Sequence, residues 1–288
     1  MKHVTKIGVS LAFYCFAEAS DKCLRMLGKP RPAISVVLHY HGVGLGERSR
    51  FAQQMDTLIR LATPISAGNR DPLQPGKRYA AVTFDDGFQN VVENAVPEMI
   101  IRKIPGTIFV VPSLLGGNPL WDTLGADYIL KEPLISAAQL KALPAELITV
   151  GSHTVTHAWL PSVTESEARK EISMSRERLR SLLDKEIDLF SFPYGESNGQ
   201  LIELCREAGY SRVFTIVPSL AFRDPHEFVT GRIGASPGDW PVEFRLKLLG
   251  AYRWLPSILK IKKRLLAFLS LDGNSRGVSG VNRDGPES

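Results

Sequence analysis

Short apolar segments alternate with longer segments of mixed polarity along most of the chain. The short segments are rich in β-branched and aromatic residues, as buried parallel strands are. The longer segments carry apolar residues three and four positions apart, as amphipathic helices do. The clearest predicted strands are 34–40, 80–84, 107–111, 147–150, 189–192 and 211–216. Strands separated by helices in this way predict a parallel β/α architecture.

Polar residues mark where several helices begin. Ser136, Thr164 and Asn198 each stand directly before a helical pattern, as N-capping residues do. The helix after Thr164 is predicted to continue to Leu183. An earlier helix, 89–103, is expected to bend at a proline inside it.

Residues with catalytic chemistry follow three of the predicted strands directly. Asp85 and Asp86 end the second strand, His153 and His157 follow the fourth, and Pro193-Tyr194-Gly195 follows the fifth. Loops after the carboxyl ends of parallel strands meet at one face of a β/α barrel, so these residues are expected to lie together. Asp86-Gly87 alone is equally typical of an ordinary turn.

The two histidines suggest a metal site. A spacing of four residues places two side chains on one face of a helical turn, where they can share one ion. Two histidines and a carboxylate with an open fourth position form the pattern of a catalytic zinc site, although cobalt, nickel and iron accept the same ligands. Taken alone, the two histidines are also compatible with surface positions after a strand, but the acid pair disfavours that interpretation.

Three motifs occur in one order: Thr-Phe-Asp-Asp-Gly, His-Thr-Val-Thr-His and Phe-Pro-Tyr-Gly. Over roughly residues 34–236 this set resembles the polysaccharide deacetylase family, carbohydrate esterase family 4. The resemblance implies a distorted (β/α) barrel that hydrolyses acetyl groups on sugar polymers with one divalent metal. It also assigns roles by position: general base, Asp85; metal ligands, Asp86, His153 and His157; backbone N–H donor to the oxyanion, Tyr194.

The histidine expected to act as general acid lies at a different place in the sequence than in most members of the family. Many members place this histidine near the end of the domain, where the chain has only His226, in a polar loop that we interpret as surface. The first strand instead ends in Tyr40-His41, which resembles the branch that acts on biofilm polysaccharides. That resemblance implies His41 as general acid. His39, earlier in the strand, is interpreted as a half-buried side chain.

A second departure concerns the residue that orients the general base. Ser191 stands where many relatives carry an arginine. We hypothesise that Arg232, at the end of the predicted strand Glu227–Ile233, takes over this role. The alternative is that Arg232 lies at an exposed strand end.

The composition is that of one barrel-sized domain with extensions. The 288 residues are 44% hydrophobic, the net charge of +5 is modest, and no nucleic-acid partner is expected. Three cysteines without metal spacing imply no disulfide framework. The predicted divisions are an N-terminal amphipathic helix, 1–30; the deacetylase domain, 31–240; basic amphipathic helices, 241–271; and a disordered tail, 272–288.

The N-terminal and C-terminal segments of the sequence are compatible with more than one cellular location. Residues 1–30 are interpreted as a retained helix, which favours a cytoplasmic or membrane-peripheral enzyme, but residues 1–19 also fit a signal peptide for export. The basic C-terminal helices could lie on an anionic membrane or pack on the barrel.

The expected function is removal of N-acetyl groups from a polysaccharide or a lipid-linked sugar, by a water that the metal activates. The same residues would serve an O-deacetylase or a deformylase on a glycolipid, and a catalytically silent glycan-binding or assembly protein is the alternative of another class. The segment 112–133, with Trp121 and Tyr128, is expected to be a sugar-contacting loop or an ordinary insertion.

Overall fold

The computed structural model describes residues 3–121 and 132–258. Within these ranges one sheet contains nine strands. They are β1 (Ile34–Tyr40), β2 (Thr63–Pro64), β3 (Arg78–Phe84), β4 (Gly106–Val110), β5 (Ile148–Ser152), β6 (Leu189–Ser191), β7 (Arg212–Thr215), β8 (Val229–Gly231) and β9 (Ile233–Gly234). The helices are α1 (His3–Met26), α2 (Arg48–Leu61), α3 (Val96–Arg102), α4 (Ala137–Lys141), α5 (Glu165–Leu183), α6 (Gly199–Glu207) and α7 (Pro241–Leu248).

The sheet closes into a nearly complete barrel. Its strands follow the order β8-β7-β6-β5-β4-β3-β1-β9, and β2 pairs with β3 beside this path. Strands β8 and β9 are separated in sequence only by Arg232. Because β8 pairs with β7 and β9 pairs with β1, this short stretch joins the two ends of the path. All strand pairings are parallel, which confirms the predicted distorted (β/α) barrel.

The register of β1 and β3 aligns two of the predicted motifs. The two strands pair from Ile34 opposite Arg78 to Tyr40 opposite Phe84. The backbone N–H of Asp85 then donates to the carbonyl oxygen of Tyr40 at 2.9 Å. Both strands are buried almost throughout, so their register is fixed by packing on both faces. The Tyr-His and Asp-Asp ends therefore emerge at the same level.

Most predicted helix starts are confirmed. The side chains of Ser136, Thr164 and Asn198 accept hydrogen bonds from the first turns of α4, α5 and α6. The predicted helix 89–103 differs in detail, since a π-helical turn, Val91–Ala95, precedes α3. Strand β2 was not predicted because two residues are too few to produce a pattern.

The N-terminal helix packs along the outside of the barrel. It contacts α7, where Nε2 of His3 lies 3.1 Å from Oε2 of Glu243. Further along, Glu18 pairs with Arg78 at 3.2 Å, at the start of β3. Helix α1 thus runs from the N-terminus of α7 towards the amino ends of the strands.

The C-terminal extension is described only in part. Helix α7 ends before Gly250, whose φ of 69° breaks the helical pattern. The chain divides into a compact unit, Met1–Arg253, and a second unit, Trp254–Ser288, of which only residues 254–258 are described. The predicted basic helix beyond residue 258 and the tail 272–288 lie outside the described residues, so the domain boundaries stay predictions. None of the described helices is long and apolar enough to cross a bilayer.

The segment that follows β7 leaves no room for a side chain at Gly231. A methyl group there would lie 2.0 Å from the carbonyl oxygen of Val217 and 2.5 Å from Oγ of Ser219. We expect Gly231→Ala to lower the free energy of unfolding by about 1–3 kcal/mol, because the backbone must move apart. Thermal unfolding measures this change. The matched control is Gly199→Ala in α6, where an added methyl group meets nothing within 4 Å. Equal melting temperatures for the two variants would contradict the prediction.

Candidate active site

Each of the three motifs turns at a strand end through left-handed backbone. Seven non-glycine residues among those described have a positive φ, and four of them lie in these turns. They are Asp86 (71°), Thr154 (63°), His157 (65°) and Tyr194 (58°). Such conformations cost on the order of 1–3 kcal/mol each and tend to cluster at functional sites.

Three buried side chains converge as the ligands of a single ion would. Oδ1 of Asp86 lies 3.4 Å from Nε2 of His153 and 3.2 Å from Nε2 of His157. Two atoms that bind one tetrahedral metal at about 2.0–2.1 Å are about 3.3 Å apart. A donor atom from each of the three residues lies within 4.8 Å of the others. The set therefore fits one divalent cation.

The protonation states of these ligands have physical causes. Burial disfavours the charged form of Asp86, but hydrogen bonds from His153 and His157 outweigh it and hold the carboxyl pKa well below its usual range. Burial lowers the pKa of His157. At His153 burial also acts to lower the pKa, but the hydrogen bonds to Asp86 and Ser191 and the charges of Asp85 and Asp86 together outweigh it and raise the pKa. A cation would therefore compete with a proton at His153.

The predicted helical turn between the histidines is wrong. Residues 153–157 form an irregular loop, and the left-handed conformations at Thr154 and His157 bring the two rings together. Glu171, on α5, fixes this loop. Its carboxylate accepts from the backbone N–H groups of Val155 (2.8 Å) and Thr156 (2.9 Å) and from the Thr156 hydroxyl (2.9 Å).

The two histidine rings are held by different means. Nδ1 of His153 donates to the carbonyl oxygen of Ser191 at 2.8 Å, which leaves Nε2 to face Asp86. Nδ1 of His157 has no hydrogen-bond partner among the described residues. Its ring instead stacks on Trp121, with centroids 3.9 Å apart and planes 21° apart, and meets the edge of Tyr194 at 4.9 Å.

Trp121 therefore differs from the predicted sugar contact. Its side chain is buried against His157 in this structure. Tyr128, the other aromatic residue of that predicted loop, lies outside the described residues. An exposed tryptophan occurs elsewhere at the site: Trp159 is 49% exposed, and its Nε1 donates to Glu196 at 3.0 Å. Its position two residues after His157 was the available sequence signal.

Arg232 lies directly against Asp85, as hypothesised, and not at an exposed strand end. Both residues are buried, and Nη1 and Nη2 of Arg232 donate to Oδ1 and Oδ2 of Asp85, each at 2.7 Å. Nη2 also donates to Oγ of Ser191 at 2.7 Å, and Nη1 to Oγ1 of Thr83 at 3.2 Å. Burial opposes the charge on Asp85, but the guanidinium outweighs it and holds the carboxyl pKa well below its usual range.

His41 also lies close to Asp85. It is exposed, and a ring nitrogen lies within 4.8 Å of a carboxylate oxygen of Asp85. The interpretation of His39 as a half-buried side chain is wrong. Residues two apart in a strand share one face, and His39 is buried with its ring 5.3 Å from that of His41. Burial, and secondly Arg232, lower the pKa of His39, so it is a neutral neighbour.

Comparison with known proteins agrees with this geometry. Residues 73–213 match the model of the polysaccharide deacetylase family. IcaB from Ammonifex degensii superposes with a TM-score of 0.64 and 26% identity, over 77% of this chain and 98% of that one. The chain contains a polysaccharide deacetylase domain. YxkH of Bacillus subtilis (strain 168), provisionally named a polysaccharide deacetylase, is 24% identical over 220 residues, 72% of this chain and 74% of its own.

A further solved structure has the same fold. The deacetylase PplD of Streptococcus pyogenes superposes with a TM-score of 0.59 and 17% identity, over 76% of this chain and 98% of that one. The polysaccharide deacetylase domain identifies this protein as an enzyme of the deacetylase kind that acts on an acetylated carbohydrate. The fold and the enzyme class predicted from the motifs are thus confirmed.

The stacking of Trp121 on His157 predicts a role in metal affinity. We expect Trp121→Ala to weaken zinc binding about 10–100-fold, the range typical for loss of a group that orients a ligand. Competition with a chromogenic chelator measures this constant without any assay of activity. Trp121→Phe, which keeps a stacked ring, should bind zinc nearly as the wild type does. Equal affinities for all three proteins would contradict the assignment.

The hydrogen bonds of Glu171 lead to a separate expectation. Glu171→Ala removes the three acceptor contacts that hold the loop between the histidines. Its zinc affinity should fall about 10–100-fold in titration calorimetry. Glu177→Ala, at an exposed position of the same helix, is the matched control and should leave the affinity unchanged. A Glu171→Ala protein with wild-type affinity would show that the loop holds its shape without this carboxylate.

Proposed function

We propose that this protein removes N-acetyl groups from a sugar of a polysaccharide or a lipid-linked glycan. The observation that carries the proposal is the junction of two groups of residues at one mouth of the barrel. Asp86, His153 and His157 form the ligand set, and Asp85, Arg232 and His41 lie beside it. The deacetylase domain supports the acetylated carbohydrate but does not specify which one.

Asp86, His153 and His157 would hold the metal, with zinc as our first choice. Two imidazoles and one carboxylate suit zinc, and cobalt, nickel or iron remain alternatives. When bound, the divalent cation would lower the pKa of a water molecule and polarise the acyl carbonyl group.

Asp85 is proposed as the general base that accepts the proton of the attacking water. Its low pKa keeps it ionised, and the two bonds from Arg232 occupy one lone pair on each oxygen, leaving others available. Arg232 also fixes the plane of the carboxylate because the bidentate geometry is rigid. Arg232 is thus a positioning residue for Asp85.

His41 and Tyr194 are proposed to act on the other reacting atoms. His41 is exposed at the mouth near Asp85, where it can donate a proton to the leaving sugar amine. Tyr194 lies beside His157, and its backbone N–H is proposed to stabilise the oxyanion. The exposed ring of Trp159 offers an apolar face to a sugar.

A substrate assay tests the function. Metal-loaded wild type should release acetate from N-acetylglucosamine oligomers or from a soluble acetyl ester. Asp85→Asn and His153→Ala should each reduce the rate at least about 10²-fold. Asp188→Asn, at an exposed site away from the mouth, is the control.

The results of this assay distinguish the proposed function from its alternatives. Release from the ester alone would favour an O-deacetylase, and formate release from a formylated sugar would favour a deformylase. Wild type that binds glycan as tightly as Asp85→Asn and releases nothing, with metal bound, would contradict the proposal in favour of a silent binding protein.

The proposed role of Arg232 has its own test. Arg232→Ala should lower kcat about 10²-fold or more, because Asp85 loses its orientation and its counter-charge. Oγ of Ser191 lies 2.7 Å from Nη2 of Arg232. An arginine side chain at position 191 would therefore begin next to the place that the guanidinium of Arg232 occupies beside Asp85. We therefore expect Ser191→Arg to restore part of the rate in the Arg232→Ala background. Folded single and double variants with the wild-type rate would refute the positioning role.

A further inference from the structure

Helix α1 exposes large apolar side chains that an ordinary surface helix would bury. Surface helices normally turn apolar side chains inwards and polar ones outwards. In α1 the side towards the barrel carries the buried Ser10 and the half-buried Tyr14, Glu18 and Asp21, together with the half-buried apolar residues Ile7, Phe13 and Ala17. The outward side carries large apolar residues with high exposure: Val4 (65%), Leu11 (47%), Phe16 (74%) and Met26 (73%).

Smaller uncharged residues lie between the large apolar ones. The smaller residues Ala12, Cys15, Ala19 and Cys23 are exposed between the large ones, at helical spacing. A contiguous exposed apolar face of this kind marks an interaction surface. The helix has 24 residues and is therefore about 36 Å long.

The acidic residues of α1 face the protein, whereas its basic residues are exposed. Its two acidic residues both face the protein, where Glu18 pairs with Arg31 and Arg78, and Asp21 pairs with Arg31 at 3.1 Å. The basic residues Lys6, Lys22 and Arg25 are exposed. The outward surface is therefore apolar and cationic without an opposing carboxylate of the helix. A bilayer with anionic lipids is complementary in both respects.

The positive charge of α1 argues against two other partners for its outward face. The segment 259–271 of the same chain is basic, with Lys260, Lys262, Lys263 and Arg264. A second copy of α1 would bring like charges together as well. Neither supplies the negative charge that an anionic headgroup layer supplies.

We propose that the outward face of α1 inserts into the headgroup region of a membrane that contains anionic lipids. Phe16 and Met26 enter the acyl boundary, while Lys22 and Arg25 contact the headgroups. The inference extends the proposed function by naming the surface that places the enzyme on a membrane. It depends on retention of residues 1–26 and does not depend on which acyl group is removed.

Flotation of the full-length protein with lipid vesicles tests the proposal. Vesicles of phosphatidylcholine with phosphatidylglycerol at 3:1 are compared with vesicles of phosphatidylcholine alone. Wild type should float with the anionic vesicles, and Phe16→Glu and Met26→Glu should each lower the partition coefficient about tenfold or more. The matched control is Ile101→Glu, since Ile101 is an apolar residue of α3 that is 69% exposed.

Each possible result of this experiment either supports or overturns the proposal. Circular dichroism should be the same for all variants, because the changed side chains point to solvent. Unchanged flotation of the double variant Phe16→Glu/Met26→Glu would overturn the proposal and assign binding to another segment. No flotation of wild type would also overturn it, and a wild-type dimer abolished by Phe16→Glu would then identify a second copy as the occupant. Acetate release is measured separately, so failure of the proposed activity is distinguishable from failure of membrane binding.

Discussion

The buried ion pair between Asp85 and Arg232 is the contact on which the arrangement of the active site depends. Two opposite charges are removed from water at the mouth of the barrel, which is favourable only when both are fully paired. Arg232 meets this condition with two bonds to Asp85, and further bonds to Ser191 and Thr83. The pair therefore connects the ends of β3 and β6 to the closing segment between β8 and β9.

The candidate metal ligands depend on a second set of contacts. Asp86 follows Asp85 directly, so its position is fixed by the same strand end. The two histidines lie on an irregular loop, and three separate elements orient them: the Ser191 carbonyl, the Glu171 carboxylate and the Trp121 ring. These contacts come from β6, α5 and the segment after β4. The ligand geometry is thus a product of the assembled barrel.

Local patterns were enough to predict the strands, the capped helices and the metal-ligand candidates, because hydrophobic periodicity and motif order are properties of neighbouring residues. The Arg232 contact could be hypothesised since Ser191 lacked the expected charge. The loop between the histidines, the burial of His39 and the stacking of Trp121 could not be obtained in this way. Each is decided by side chains that are distant in sequence, and left-handed turns at Thr154 and His157 have no reliable signal in a single chain.

The late position of Arg232 in the chain links catalytic competence to completion of the fold. The pairing of β1 with β3, which places Asp85 and His41 at the ends of these strands, uses no residue after β7. Without the segment after β7 the Asp85 carboxylate would lack its guanidinium, and burial favours the protonated form of a carboxyl group. The stretch from Val229 to Gly234 supplies the missing charge in the same step in which it closes the sheet. An incompletely folded barrel would therefore be without hydrolytic activity even with its ligand residues present, so activity itself reports that the last strand is in place.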